Sequence, residues 1–170
     1  FYAAGVYINE AKRMGLTVLL PCINKSNYRY EGNFPEIRIG LMAIKNVEKE
    51  TLLRIVEERR EYGKYRSLTD FVLRTKTTYE RTKTLIKCGA MDCLGKTRPT
   101  LMRLADIHFH HKRMCDSAAP SFFGEEILAL EDKVETKLQY SPSEICAYEY
   151  ECFGFSVTYH PIEFIQDIYN

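Results

Sequence analysis

The chain holds carboxylates, thiols and imidazoles, but their spacing supplies little catalytic chemistry. Metal-assisted group transfer needs carboxylates that converge on paired magnesium ions. Asp70 and Asp92 instead occupy a cap-like and a turn position, and the acidic residues after 125 read as a solvated surface. Cys88 with His108, or Cys152 with His160, would make a thiol nucleophile and its base, yet nothing in the sequence orients either pair or adds an oxyanion site. His108, His110 and His111, followed by Cys115, invite zinc. A tetrahedral site needs a second ligand pair, and His160 or Cys146 is remote, so a mobile or surface-facing histidine cluster is expected.

Backbone donors are better supplied. Two stretches, Gly40-Leu41-Met42-Ala43-Ile44-Lys45-Asn46-Val47-Glu48-Lys49 and Leu85-Ile86-Lys87-Cys88-Gly89-Ala90-Met91-Asp92, each join an expected helix to a tight turn. Helix-terminal amides lack intrahelical partners and can hold a phosphate without reading a base. At the first turn Lys45, Asn46 and Lys49 would act together; at the second Lys87, Gly89, Lys96 and Arg98 would do so, with Gly89 permitting the bend. The alternative is a plain helical corner with solvent-facing lysines. Lys12, Arg13, Lys25 and Arg29 would form a separate basic patch, or simply solvate a helix and a turn.

The elements that must position these residues follow from periodicity and punctuation. A helix is expected over 6–15, closed by Gly15, then a strand at Thr17-Val18-Leu19-Leu20 stopped by Pro21. Tyr28, Tyr30 and Ile37-Arg38-Ile39 read as extended pieces flanking Gly32-Asn33. Leu41, Ile44 and Val47 share a helical face, and Leu52, Ile55 and Val56 begin a longer helix ending near Tyr62-Gly63, with Glu57-Glu58-Arg59-Arg60-Glu61 on its solvated side. Ser67 caps a helix through Leu68, Phe71 and Val72; another spans Thr82–Cys88; a third opens near Thr97 or Arg98-Pro99 and buries Leu101, Leu104, Ala105 and Phe109. Asp116–Gly124 reads as a linker, and a terminal helix is expected at Ser143–Glu151. The fold class is mainly α with a small β portion.

With 170 residues and 45% apolar content, the chain can build one sizeable core or two small helical units. Its net charge of +1 conceals an asymmetry: residues 1–113 hold 22 of the 24 basic residues and 12 of the 23 acidic ones. A basic body of this kind attracts a polyanion. Six cysteines without a C-x-x-C pair read as reduced thiols of a cytoplasmic protein, and no run of 18 apolar residues suggests a membrane span.

Tyr7–Gly15 and Leu20-Pro21-Cys22-Ile23-Asn24-Lys25-Ser26, continued by Ile37–Val47, Ser67-Leu68-Thr69-Asp70-Phe71, Leu85–Asp92 and Gly154–Pro161, resemble the C family of bacterial replicative DNA polymerases, the DNA polymerase III alpha subunits. The resemblance runs in order along nearly the whole chain. It implies that 1–38 belong to the distal fingers, that 39–113 contain tandem helix-hairpin-helix elements, and that 114–170 form a linker and clamp-binding region leading toward an OB-fold. It also implies a stretch that holds primer-template duplex without polymerising it. The catalytic carboxylates would lie before Phe1, with a loop shortened between Ala4 and Gly5. No cofactor is expected in this stretch, and Mg2+ is expected for the full-length polymerase. The implied partners are duplex DNA, the sliding clamp and other replicative holoenzyme subunits. Two departures stand out. Glu48 occupies a position where the family usually has Gly, placing a carboxylate where a phosphate would approach, so the second hairpin is the expected main contact. Ala119-Pro120-Ser121-Phe122-Phe123-Gly124 keeps the aromatic end of a clamp motif but lacks its Gln; Phe122 and Phe123 would be either pocket anchors or pins for the linker.

Overall fold

The computed structural model describes residues 3–114, 133 and 137–159, without the side chains of 111–114. Among these residues the chain is mainly helical, with one three-stranded sheet. Helix α1 (Ala4–Arg13) is followed by β1 (Thr17–Leu19), β2 (Glu31–Asn33) and β3 (Glu36–Arg38). Strand β3 lies in the middle, antiparallel to β2 and parallel to β1. Gly32 and Asn33 belong to β2 instead of forming the turn, which passes through Phe34-Pro35.

Next come a 3-10 turn (Leu41–Ala43), α2 (Lys49–Tyr62), α3 (Leu68–Thr75), α4 (Tyr79–Lys87), a second 3-10 turn (Asp92–Leu94), α5 (Arg98–Met114) and α6 (Pro142–Phe153). The shared face of Leu41, Ile44 and Val47 is buried as expected, but on a single 3-10 turn and an extended link instead of a full helix. Gly40 accounts for the arrest. A Cβ there would stand 2.3 Å from the Arg29 carbonyl carbon, and the Leu41 and Met42 amides donate to the Asn27 and Tyr28 carbonyls. The backbone is thus docked on the neighbouring 27–30 loop, and its hydrogen bonds go there instead of into a helix.

One hydrophobic cluster draws on residues from Ile8 to Val157, with Phe71, Ile23, Ile39, Leu41, Ile55, Leu68, Leu85, Ile86, Met91 and Leu101 almost fully enclosed. Each such side chain contributes about 1.5–3 kcal/mol on burial. Charged residues fix the corners. Arg59, expected on a solvated face, donates to the Ile23 and Ser26 carbonyls and to Asn27 Oδ1, tying α2 to the loop after β1. Arg74 lies over the Tyr65 ring and donates to the Glu58 and Gly63 carbonyls, closing the α2–α3 corner.

After α6 the chain turns back around a buried anion. Glu149 is fully enclosed and accepts hydrogen bonds from the Ser156 hydroxyl (3.1 Å), the Val157 and Thr158 amides (2.6 and 2.9 Å) and the Thr158 hydroxyl. A buried carboxylate is tolerated only with such a donor set. The clasp seats Phe155 and Val157 in the core and carries the Val157 carbonyl to the Lys12 ammonium on α1.

Candidate functional site

The first turn leaves Lys45, Asn46 and Lys49 exposed. Asn46 adopts φ +62°, a left-handed conformation that Asn tolerates better than most residues, and this reverses the chain into α2. Val47 anchors the turn in the core. The N-cap of α2 is Glu48, whose side chain makes no cap hydrogen bond. By contrast, Ser67, Thr78 and Ser141 cap α3, α4 and α6 through the Asp70, Arg81 and Glu144 amides. The Lys49, Glu50 and Thr51 amides at the start of this 14-residue helix therefore receive no acceptor from the described residues.

The Glu48 carboxylate is not a bare repulsive charge. Arg81 of α4 grips it through both Nε and Nη2, and the guanidinium hydrogen bond holds the Glu48 carboxyl below its ordinary range, helped by the Glu48 amide. The sequence offered no sign of Arg81, which lies 33 positions away and meets Glu48 only after the chain has folded. Lys49 reaches over the Tyr28 ring at 5.9 Å, while the Lys45 amide donates to the Cys152 carbonyl and the Lys45 ammonium lies beside Gly154.

The second turn differs from expectation. Gly89 does supply the bend, at φ +78°, but its amide donates to the Ile86 carbonyl, and the Ala90 amide donates to the Leu85 carbonyl. These bonds consume the helix-end carbonyls in the manner of a closing turn, and Ala90 and Met91 are fully buried. The expectation of outward amides at Gly89 is therefore corrected: the protein's own carbonyls occupy them.

Its cations are engaged as well. Arg98 covers Gly89, donates to both oxygens of Asp92 and reaches the Lys87 carbonyl at 3.2 Å; its side chain is 10% exposed. Lys87 donates to both Glu151 oxygens at 2.9 and 3.0 Å, a hydrogen bond that raises its pKa against partial burial. Lys96 lies in the turn before α5, beside an open cavity of about 310 Å³ that Thr97, Arg98 and Tyr140 also line. The first turn of α5 is partly filled, because the Thr100 amide donates to the Thr97 hydroxyl. The structure thus groups Lys45, Asn46 and Lys49, and groups Lys87, Gly89 and Arg98. Between the groups lies the end of α6, where Glu151 takes Lys87, Cys152 takes the Lys45 amide and Gly154 meets the Lys45 side chain.

Among the described residues the catalytic and metal alternatives gain no geometry; the His111 side chain, Cys115 and His160 lie outside them. Asp70 accepts from the Arg66 amide and pairs with Arg74, and Asp92 is held by Arg98. His108 is buried against Phe109 instead of facing the surface. Among the described residues no group of three or more His, Cys, Asp or Glu side chains is placed to hold a metal, and no helix is long and apolar enough to cross a membrane. Phe122 and Phe123 lie outside the described residues.

Comparison with known proteins agrees with this architecture. Residues 15–101 match a family described as the helix-hairpin-helix motif. The chain is 33% identical over 159 residues to the DNA polymerase III subunit alpha of Staphylococcus aureus (strain MRSA252), covering 92% of this chain and 15% of that relative. It is 31% identical over 174 residues to the subunit of the same name from Chlamydia trachomatis serovar D, covering 95% of this chain and 14% of that relative. The chain therefore spans about 15% of the length of the curated relatives it matches.

Proposed function

This chain belongs to the helix-hairpin-helix motif family, and from that premise we propose that it grips the backbone of duplex or primer-template DNA for a replicative polymerase of which it forms a part. The observation that carries the reading is the start of α2. Three consecutive amides without an acceptor among the described residues stand at the positive end of a 14-residue helix that follows Lys45 and begins with Lys49. A phosphodiester oxygen would complete that donor set, while Arg81 stays engaged by the Glu48 carboxylate.

The contact is to phosphate, so it tolerates sequence and weakens with salt. The second hairpin buttresses the first instead of duplicating it: Arg98 locks its bend, and Lys87 joins it to the α6 end that receives Lys45. In this proposal nucleotidyl transfer and its Mg2+ belong to other parts of the polymerase, and the setting is cytoplasmic.

The test is a Lys45→Ala, Lys49→Ala double variant, titrated with fluorescent duplex over a salt series. Loss of two phosphate contacts lowers the slope of log affinity against log salt by about 1.8, at about 0.9 per contact. An unchanged slope in a folded variant would remove the first turn from the interface.

A further inference from the structure

The far end of α2 carries a cavity that the first turn does not use. After Tyr62 the chain runs through Gly63-Lys64-Tyr65-Arg66 to the Ser67 cap of α3, interleaving aromatic and basic residues. Tyr65 is buried and donates its hydroxyl to the Ile55 carbonyl at 2.8 Å, so the middle of this loop is anchored in the core. Tyr62, Lys64 and Arg66 are exposed. With Glu58, Asp70 and Arg74 they line an open cavity of about 450 Å³.

Arg74 shapes the cavity. Its guanidinium lies 4.3 Å from the Tyr65 ring centre and 5.9 Å from that of Tyr62, and it donates to the Glu58 and Gly63 carbonyls at 2.7 and 2.9 Å. One face of the Tyr62 ring therefore looks onto a fixed cation, and at 64% exposure the residue keeps its other face open. Both carboxylates are turned to Arg74. Asp70 accepts from the Arg66 amide and pairs with Arg74 at 3.3 Å, and Glu58 faces Arg74 Nε at 3.9 Å. Lys64 and Arg66 remain as the lining cations whose side chains have no ion-pair partner among the described residues.

An open aromatic face beside two such cations matches an unpaired nucleotide, whose base stacks on the ring while its phosphates meet the cations. A duplex presents no free base face, because its bases are paired and stacked on one another. The cavity has the size that encloses a small ligand, which suits a single nucleotide unit.

We propose that the Tyr62–Arg66 loop is a single-stranded DNA site, in which Tyr62 stacks on one unpaired base and Lys64 and Arg66 hold the flanking phosphates.

The site is separate from the first turn. Fourteen helical residues at about 1.5 Å each place it about 20 Å from Lys49, too far for one phosphate to touch both. It therefore does not rest on the duplex reading.

The test titrates the 15N-labelled chain with hexathymidylate and with an abasic oligonucleotide of the same length. Saturable shifts of the Gly63, Lys64 and Arg66 amides are expected with hexathymidylate, at an affinity about 5-fold or more above that of the abasic strand. Tyr62→Leu lowers hexathymidylate to the abasic level, and Tyr62→Phe, which keeps the ring, retains the wild-type affinity. A Lys64→Ala, Arg66→Ala double variant lowers the slope of log affinity against log salt by about 1.4, at about 0.7 per single-strand contact. A Lys45→Ala, Lys49→Ala variant leaves hexathymidylate binding at the loop unchanged, so failure of the duplex contact and failure of this one are read separately. The replaced side chains are exposed, and the amide spectra of the free variants verify the fold. Equal affinity for the two strands overturns the proposal, as does an unchanged affinity in Tyr62→Leu. Shifts confined to Lys49, Glu50 and Thr51 also overturn it, and tighter binding of hexauridylate overturns the assignment to DNA.

Discussion

Replacing Glu48 by Gln tests the electrostatics of the first turn. The backbone there is extended, with φ −69° and ψ 148°, so Gln fits without strain. The substitution removes one negative charge from the mouth of α2 and frees the Arg81 guanidinium that Glu48 holds in two contacts. If α2 receives the phosphate, Arg81 then contributes one additional phosphate contact. The slope of log affinity against log salt steepens by about 0.9, so the gain from that contact is about 3.5-fold larger at 50 mM than at 200 mM salt. Fluorescence anisotropy with a labelled duplex across that range reads both quantities. Glu151→Gln is the control, because it frees Lys87 beside the second turn without changing the first. Unchanged slope and affinity in Glu48→Gln would refute the reasoning, as would a gain confined to Glu151→Gln.

Gly89→Ala forces a side chain into left-handed backbone at φ +78°, with its Cβ 2.3 Å from the Arg98 guanidinium. The conformational cost alone is about 1–2 kcal/mol, so thermal unfolding should shift downward while the folded fraction keeps its DNA salt slope. Glu149→Gln removes the charge that four donors surround and, with its oxygen kept toward the Val157 and Thr158 amides, turns its NH2 toward the Thr158 hydroxyl. A loss of about 3 kcal/mol is expected in urea unfolding, and a loss under 1 kcal/mol would show that the clasp is dispensable.

Much of the fold was legible because local rules and burial agree. Ser67 before an apolar stripe, Gly15 after α1 and Pro99 in the first turn of α5 mark element ends that the structure respects. The misread positions are those where the partners of the backbone amides or of a charged side chain decide. Leu41–Val47 has helical spacing, but Gly40 docks the backbone on the 27–30 loop and directs its amides elsewhere. Gly89 marks a bend correctly; whether its amides face outward depends on the Leu85 and Ile86 carbonyls, a matter of turn geometry that residue type does not disclose. Glu48 read alone is a repulsive charge, and only the packing of α4 beside α2 supplies Arg81. The candidate site was therefore visible as two turns and a set of cations, while the division of labour between the turns emerged from the hydrogen bonds.

Amide chemical shifts of the 15N-labelled chain, followed during titration with short duplex DNA, test the central claim most directly. The account predicts saturable shifts at Lys49, Glu50 and Thr51, with Gly89 and Ala90 unmoved because their hydrogens are bound to Ile86 and Leu85. Saturable shifts at Gly89 and Ala90, with the start of α2 silent, would contradict it.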